Sequence, residues 1–187
     1  MSKKNDLKQI LKNYAEAYYT ACDESRKEVL AQLKPGEKAP EDGRIHNVEM
    51  RSRFALDSIK YAQRAAEIFE GMIRDVKKEM AAPPSTEAVN MISMLKMRTN
   101  VPAEEYENLI EQYGSNYQTA KAIRSIAAEN GYRIYTSGLE DKLHDLEQLN
   151  ASFQRTLTLA SAERGGLSSG SIAFQELILD DVLGDAE

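Results

Sequence analysis

Two histidines and one cysteine bound the chemistry open to this chain. His46-Asn-Val-Glu49 and Asp141-Lys-Leu-His144 each set an imidazole and a carboxylate three residues apart, on one helix face. Di-iron bundles use a Glu-x-x-His pair on each of two helices and a further Glu from each of two others. Here one pair carries Asp, the other runs in reverse order, and both histidines fall beside the apolar rows described below. They read as surface histidines, and no metal ligand is assigned. Cys22 stands near Tyr18 and Tyr19 with no Cys/His signature. A thiol nucleophile needs a base that a third group orients, so Cys22 reads as a small, partly buried hydrophobe. Gly165-Gly166 and Gly170 follow no strand and precede no Gly-Lys-Ser/Thr, so they form no phosphate cradle, and no Gly-x-Ser-x-Gly elbow is present. The sequence therefore names no catalytic, cofactor-binding or metal residue. The expectation is a protein that is not an enzyme and takes no cofactor.

Other side chains point to interfaces. Met91, Met94 and Met97 accompany Ile92 and Leu95 on one short segment, where flexible thioethers serve as core filler or as an adaptable groove. Nine tyrosines stand against four phenylalanines and no tryptophan. That balance suits half-buried rings with a polar tip at helix contacts. Tyr106, Tyr113 and Tyr117 bracket Gly114 and are read as staples of a turn. Asn150 interrupts an apolar row. It is either a buried amide that fixes register or an edge residue beside a core-facing Leu149.

The elements that must hold these residues are helices. A first apolar row, Leu7, Leu11, Tyr14, Tyr18, Ala21 and Ser25, predicts a helix over about 6–33, capped by Asn5 or Asp6. Two prolines and two glycines between Lys34 and Gly43 break it. A second row runs from Ile45 through Val48, Ser52, Ala55, Ile59, Ala62, Ala66, Phe69, Ile73 and Val76 to Met80, alternating steps of three and four. It predicts a long heptad-bearing helix over about 44–80, whose small residues Ser52, Ala55, Ala62 and Ala66 form a close helix interface. Short helices follow at about 87–98, 102–113 and 116–130, started by Ser85 or Thr86, Pro102 and Asn116. Tyr132–Thr136 could be extended. A last long helix over about 138–164 carries Leu139, Leu143, Leu146, Asn150, Phe153, Leu157 and Ala160. Residues 165–170 read as a flexible hinge. Residues 171–187 form an acidic amphipathic segment capped by Ser171. Its Ile172, Phe174, Leu177, Ile178, Val182 and Leu183 are too apolar for a solubility tail. They are read as folding into a groove of a partner or of a second copy, the alternative being that the segment tucks back onto its own bundle. The fold class is all-α: an antiparallel, coiled-coil-like bundle over 1–164 with a subdomain of short helices.

Charge narrows the partners. Residues 1–136 hold 21 basic and 20 acidic side chains, and residues 137–187 hold 3 and 10, giving the net −6. A phosphate-binding surface clusters Lys and Arg, so nucleic acid is not the expected partner. No apolar run reaches the roughly 20 residues of a membrane helix, and one unpaired cysteine suits a reducing compartment. A cytoplasmic protein is expected.

Glu104-Glu-Tyr-Glu-Asn-Leu-Ile-Glu-Gln-Tyr-Gly-Ser-Asn-Tyr-Gln-Thr-Ala-Lys-Ala-Ile-Arg-Ser-Ile-Ala-Ala-Glu-Asn-Gly131 resembles segments of small helical proteins encoded by phages and prophages of Gram-positive bacteria. In outline it is also similar to ubiquitin-associated helical modules, but it lacks their Met-Gly-Phe turn. The phage resemblance implies a virion-assembly or host-interaction role, with a virion-associated location as the counterpart. The leading expectation is a scaffolding-like protein that self-associates and recruits a protein partner through Phe174, Leu177, Ile178, Val182 and Leu183. The alternative is a monomeric regulatory adaptor that binds a host protein.

Overall fold

The computed structural model describes residues 2–38, 44–135, 138–159 and 167–184. Those residues hold seven helices and no strand: α1 (Lys3–Gln32), α2 (Val48–Met80), α3 (Thr86–Lys96), α4 (Ala103–Tyr113), α5 (Tyr117–Glu129), α6 (Leu139–Leu159) and α7 (Ser169–Leu183). The all-α class is as the sequence indicates. Tyr132–Tyr135 adopt no strand, and Thr136 lies outside the described residues. The chain forms two compact units, Met1–Gly71 with Asp145–Glu187, and Met72–His144. α7 belongs to the first, so the C-terminal segment is not a separate appendage.

In the first unit, Ser2 caps α1 by accepting the Asn5 N–H, one turn earlier than Asn5 or Asp6 would. The buried row of α1 is Leu7, Ile10, Leu11, Tyr14, Tyr18, Cys22 and Ser25. Ser25 fixes the entry to α2: its hydroxyl oxygen accepts the N–H groups of His46 and Asn47, both at 2.9 Å. Asn47 in turn accepts the Met50 N–H at 3.0 Å, which starts α2 at Val48 rather than near Ile45. Tyr14 and Tyr18 meet Phe54 with ring centroids 5.5 and 5.4 Å apart, and Tyr14 also meets Tyr61 edge-on at 5.8 Å. Phe69 and Phe153 join α2 to α6 in the same way at 5.5 Å. Each such pair adds about 0.5–1.5 kcal/mol beyond its area.

The core row of α2 departs from the heptad. Phe54, Ser58, Ala62, Ala65, Phe69 and Val76 are buried, whereas Val48, Ser52 and Ile59 are exposed and Ala55 and Ala66 half-buried. Steps of four, four and three give an eleven-residue repeat, about 3.67 residues per turn, which a nearly straight helix follows. Of the small residues expected at the interface, Ala62 lies in the core and Ser52 does not. At Ala62 the Gln154 side chain of α6 donates to the backbone carbonyl at 3.0 Å.

In the second unit, Leu95, Val101, Tyr106, Ile123, Ile126 and Ala127 form the core. Ser85 and Asn116 cap α3 and α5 as their types suggest. Asn116 and Gln118 also donate to the carbonyls of Ala82 and Met80, satisfying groups that the end of α2 leaves open. α4 closes at Gly114, where a Cβ would sit 2.3 Å from the Ile110 carbonyl oxygen. α5 ends in a Schellman motif, with Gly131 at φ +85° and the N–H groups of Gly131 and Tyr132 donating to Ala128 and Ala127. The three tyrosines expected to staple the Gly114 turn bond to residues outside it. Tyr106 is fully buried and accepts from Asn130 at 3.0 Å, Tyr113 donates to Glu87 at 3.1 Å, and Tyr117 donates to Glu140.

If the eleven-residue row is the core, enlarging it should overpack the unit. Ser58→Leu and Ala62→Leu are each expected to cost about 1–3 kcal/mol. Arg64→Leu, on the exposed side, should stay within about 0.5 kcal/mol. Urea denaturation followed by circular dichroism measures all three, and equal midpoints would show that the row faces water.

Candidate functional site

The residues singled out for chemistry do not converge. His46 and His144 are exposed. Among the described residues no three His, Cys, Asp or Glu side chains are placed to hold a metal ion. Cys22 is buried beside Tyr18. Burial, then a hydrogen bond to Cys22, pushes the Tyr18 phenol up to about 12, and the Leu167 backbone hydrogen-bonds the same hydroxyl. At the α6 row, Leu149 is buried and Asn150 half-buried, where its side-chain oxygen accepts from Gln154 at 3.3 Å. Asn150 is thus the edge residue and Leu149 the core one.

The site best defined by geometry is α7. Of the expected hinge, Gly165 and Gly166 lie outside the described residues. Its remainder is ordered structure: Leu167 is buried, Ser168 accepts the Ser171 N–H at 3.1 Å, and Gly170 lies inside the helix. Ser168, three residues before Ser171, is therefore the cap. One face docks on the chain's own α1 and α6. Leu179, which the sequence reading passed over, is fully buried one turn from Gln175. The Gln175 amide nitrogen donates to Ser152 at 2.7 Å, while its oxygen is buried with no partner. Lys4 reaches both the Asp180 carboxylate (2.7 Å) and the Gly184 carbonyl (2.6 Å), and Lys8 reaches Asp180 at 2.7 Å. A cation at a helix C-terminus also complements its dipole. The acidic tail thus finds its basic surface on α1.

The other face is open. Phe174 is 58% and Leu177 67% exposed, one turn apart, with Asp181 on the same side. Ile178, Val182 and Leu183 are half-buried, between the two faces. Of the five residues expected to bind a partner, the structure therefore keeps Phe174 and Leu177 fully available. A second apolar surface lies in the other unit, a groove of 320 Å³ lined by Met91, Met94, Leu95, Leu109 and Tyr113. The Arg98–Glu105 ion pair and Glu87 stand at its rim.

The two lysines, with their hydrogen bonds first, hold the Asp180 carboxyl below its ordinary 3.8. A carboxylate with a depressed value stabilises docking above its unfolded pKa, and the contribution is lost as pH falls through the folded value. Acidification below about pH 4 should therefore loosen α7. Hydrogen exchange of the α7 amides is expected to speed up in that window, and Asp180→Asn to show fast exchange already at neutral pH. Exchange that is the same in both proteins at every pH would show that the ion pair does not hold the helix.

No helix among the described residues is long and apolar enough to cross a membrane. Comparison with protein-family models, curated proteins and solved structures gives no significant match.

Proposed function

We propose that this chain is a non-enzymatic helical interaction protein, scaffolding-like in the sense that the phage resemblance of residues 104–131 implies, which recruits a protein partner through the outer face of α7. The observation that supports this reading is the exposure of Phe174 and Leu177 on a helix whose opposite face is anchored. An anchored helix has already lost most of its conformational freedom, so its open face binds without the ordering cost of a free peptide. Two large apolar side chains one turn apart match the spacing of helix-in-groove recognition. Asp181 beside them favours a groove with a basic rim and sets orientation more than affinity.

The test separates the two faces. Phe174→Glu with Leu177→Glu should abolish co-purification of the partner from cells that express the tagged chain, with the melting temperature unchanged. Leu179→Ala, on the docked face, should instead lower stability by about 2–5 kcal/mol. A double glutamate variant that melts early, or that still retains every wild-type partner, overturns the assignment.

A further inference from the structure

The N-terminal half of α2 carries two apolar rows, and the first unit uses one of them. Phe54, Ser58, Ala62 and Ala65 face its core. The heptad row beside them, Val48, Ser52, Ala55 and Ile59, does not: Val48 is 65% and Ile59 49% exposed, and the neighbouring Leu56 is 66% exposed. Isolated exposed aliphatics are ordinary, but a row in steps of four, three and four is the repeat by which one helix meets another.

We infer that this row is the contact surface for a second copy of the same chain, the two α2 helices crossing antiparallel about a two-fold axis between Arg53 and Phe54. A two-fold contact must be self-complementary: residue i meets j, and j meets i. The row meets that condition. With the axis at that point, Val48 of each copy faces Ile59 of the other, and Ser52 faces Ala55. The small pair at the centre lets the backbones approach, and the large pairs close both ends. The flanking charges agree as well. Glu49 of one copy comes beside Lys60 of the other, and Lys60 is exposed, with an ion pair to Asp57 on its own helix. A parallel pairing in register would instead hold Glu49 and Lys60 about 16 Å apart along the axis, so that this pair could not form. The contact spans roughly 16 Å of helix, short beside a standard interface, so the dimer is weak and concentration-dependent.

This inference is independent of the α7 reading, and its test keeps the two apart. Sedimentation velocity on the full chain, from micromolar to millimolar concentration, should show reversible dimers. Ile59→Glu should weaken dimerisation at least about tenfold, because it buries a charge in the contact, and Val48→Glu serves as a second variant should the first lose its fold by circular dichroism. Glu49→Lys should weaken the dimer, and Glu49→Lys with Lys60→Glu should restore it. Under mild oxidation, Val48→Cys with Ile59→Cys should give a covalent dimer. Ile59→Cys alone should not, since the antiparallel crossing holds the two copies of that residue about 16 Å apart along the axis. Phe174→Glu with Leu177→Glu should leave the dimer intact. A chain monomeric at millimolar concentration, efficient cross-linking of Ile59→Cys alone, or loss of the dimer on altering α7 would each overturn the inference. The last of these would leave the partner reading of α7 standing.

Discussion

A straight α-helix closes a turn every 3.6 residues, and a seven-residue apolar repeat therefore drifts about 20° per heptad around it. In the first unit, which holds α2 as far as Gly71, that drift decides which residues of the helix are buried. Its heptad row and its buried row share Ala62 and Phe69 there. Three heptads earlier, at Val48, the heptad row has rotated about 60° away from the neighbouring helices. Phe54 and Ser58 take its place in the core, and the displaced row is left facing outward. That drift accounts both for the burial of Phe54 and Ser58 and for the apolar stripe left uncovered beside them. Supercoiling would have kept a single row inside, but it needs a partner helix that stays alongside for the full length.

The same geometry explains how much was legible in the sequence. All seven helices are visible in the spacing of apolar residues and the punctuation of Pro and Gly, because both are local signals. Ser85 and Asn116 read correctly as caps, since each stands directly before its helix and its side chain bonds back within three residues. The cap of α7 does not. Ser168 and Ser171 are equally suitable by type, and the burial of Leu167 on the unit's core selects the earlier one. Helix phase was the least legible property. On α6 a one-residue difference separates Leu149 in the core from Asn150 at its edge, and on α2 the drift accumulates too slowly to break the alternation of threes and fours. The candidate surface on α7 was only half legible for a related reason. That helix is apolar nearly all round, so its sequence carries little information on which face docks, and Leu179 escaped notice while Phe174 and Leu177 did not.

Docking of α7 also gives the uneven charge of the chain a structural meaning. Ten of thirty acidic residues lie beyond residue 136, and the first turns of α1 carry Lys3, Lys4, Lys8 and Lys12. A uniformly solvated tail would need no such counterpart. Two of those lysines converge on one carboxylate and one helix-end carbonyl, and among the described side chains of α7 Leu179 and Gln175 are the buried ones. Gln175 leaves an acceptor without a partner in that contact, a deficit of about 1–3 kcal/mol. The docked face is therefore held by few groups of mixed quality, and the ion pairs at its end orient the helix so that Phe174 and Leu177 point away from the chain.

The distribution of aromatic types separates faces that close the fold from faces that remain to be closed. Where a tyrosine ring is packed inside a unit, its hydroxyl ties a second element: Tyr14 to the Thr156 carbonyl, Tyr106 to Asn130, Tyr117 to Glu140. A polar tip of this kind accepts only a partner in the right place, so each ring fixes one arrangement rather than merely filling volume. The outward rows are nearly free of that constraint. Apart from Ser52, the side chains named there, Val48, Ala55, Leu56 and Ile59 on α2 and Phe174 and Leu177 on α7, have no polar atom. Water gains nothing from contact with them, and any apolar surface of matching shape can cover them. The interior is thus specified by hydrogen-bonded rings, and the outward rows by spacing and by the charges that flank them. On the proposed roles of these two surfaces, specificity rests on register and on the rim charges Glu49, Lys60 and Asp181 rather than on the apolar side chains themselves.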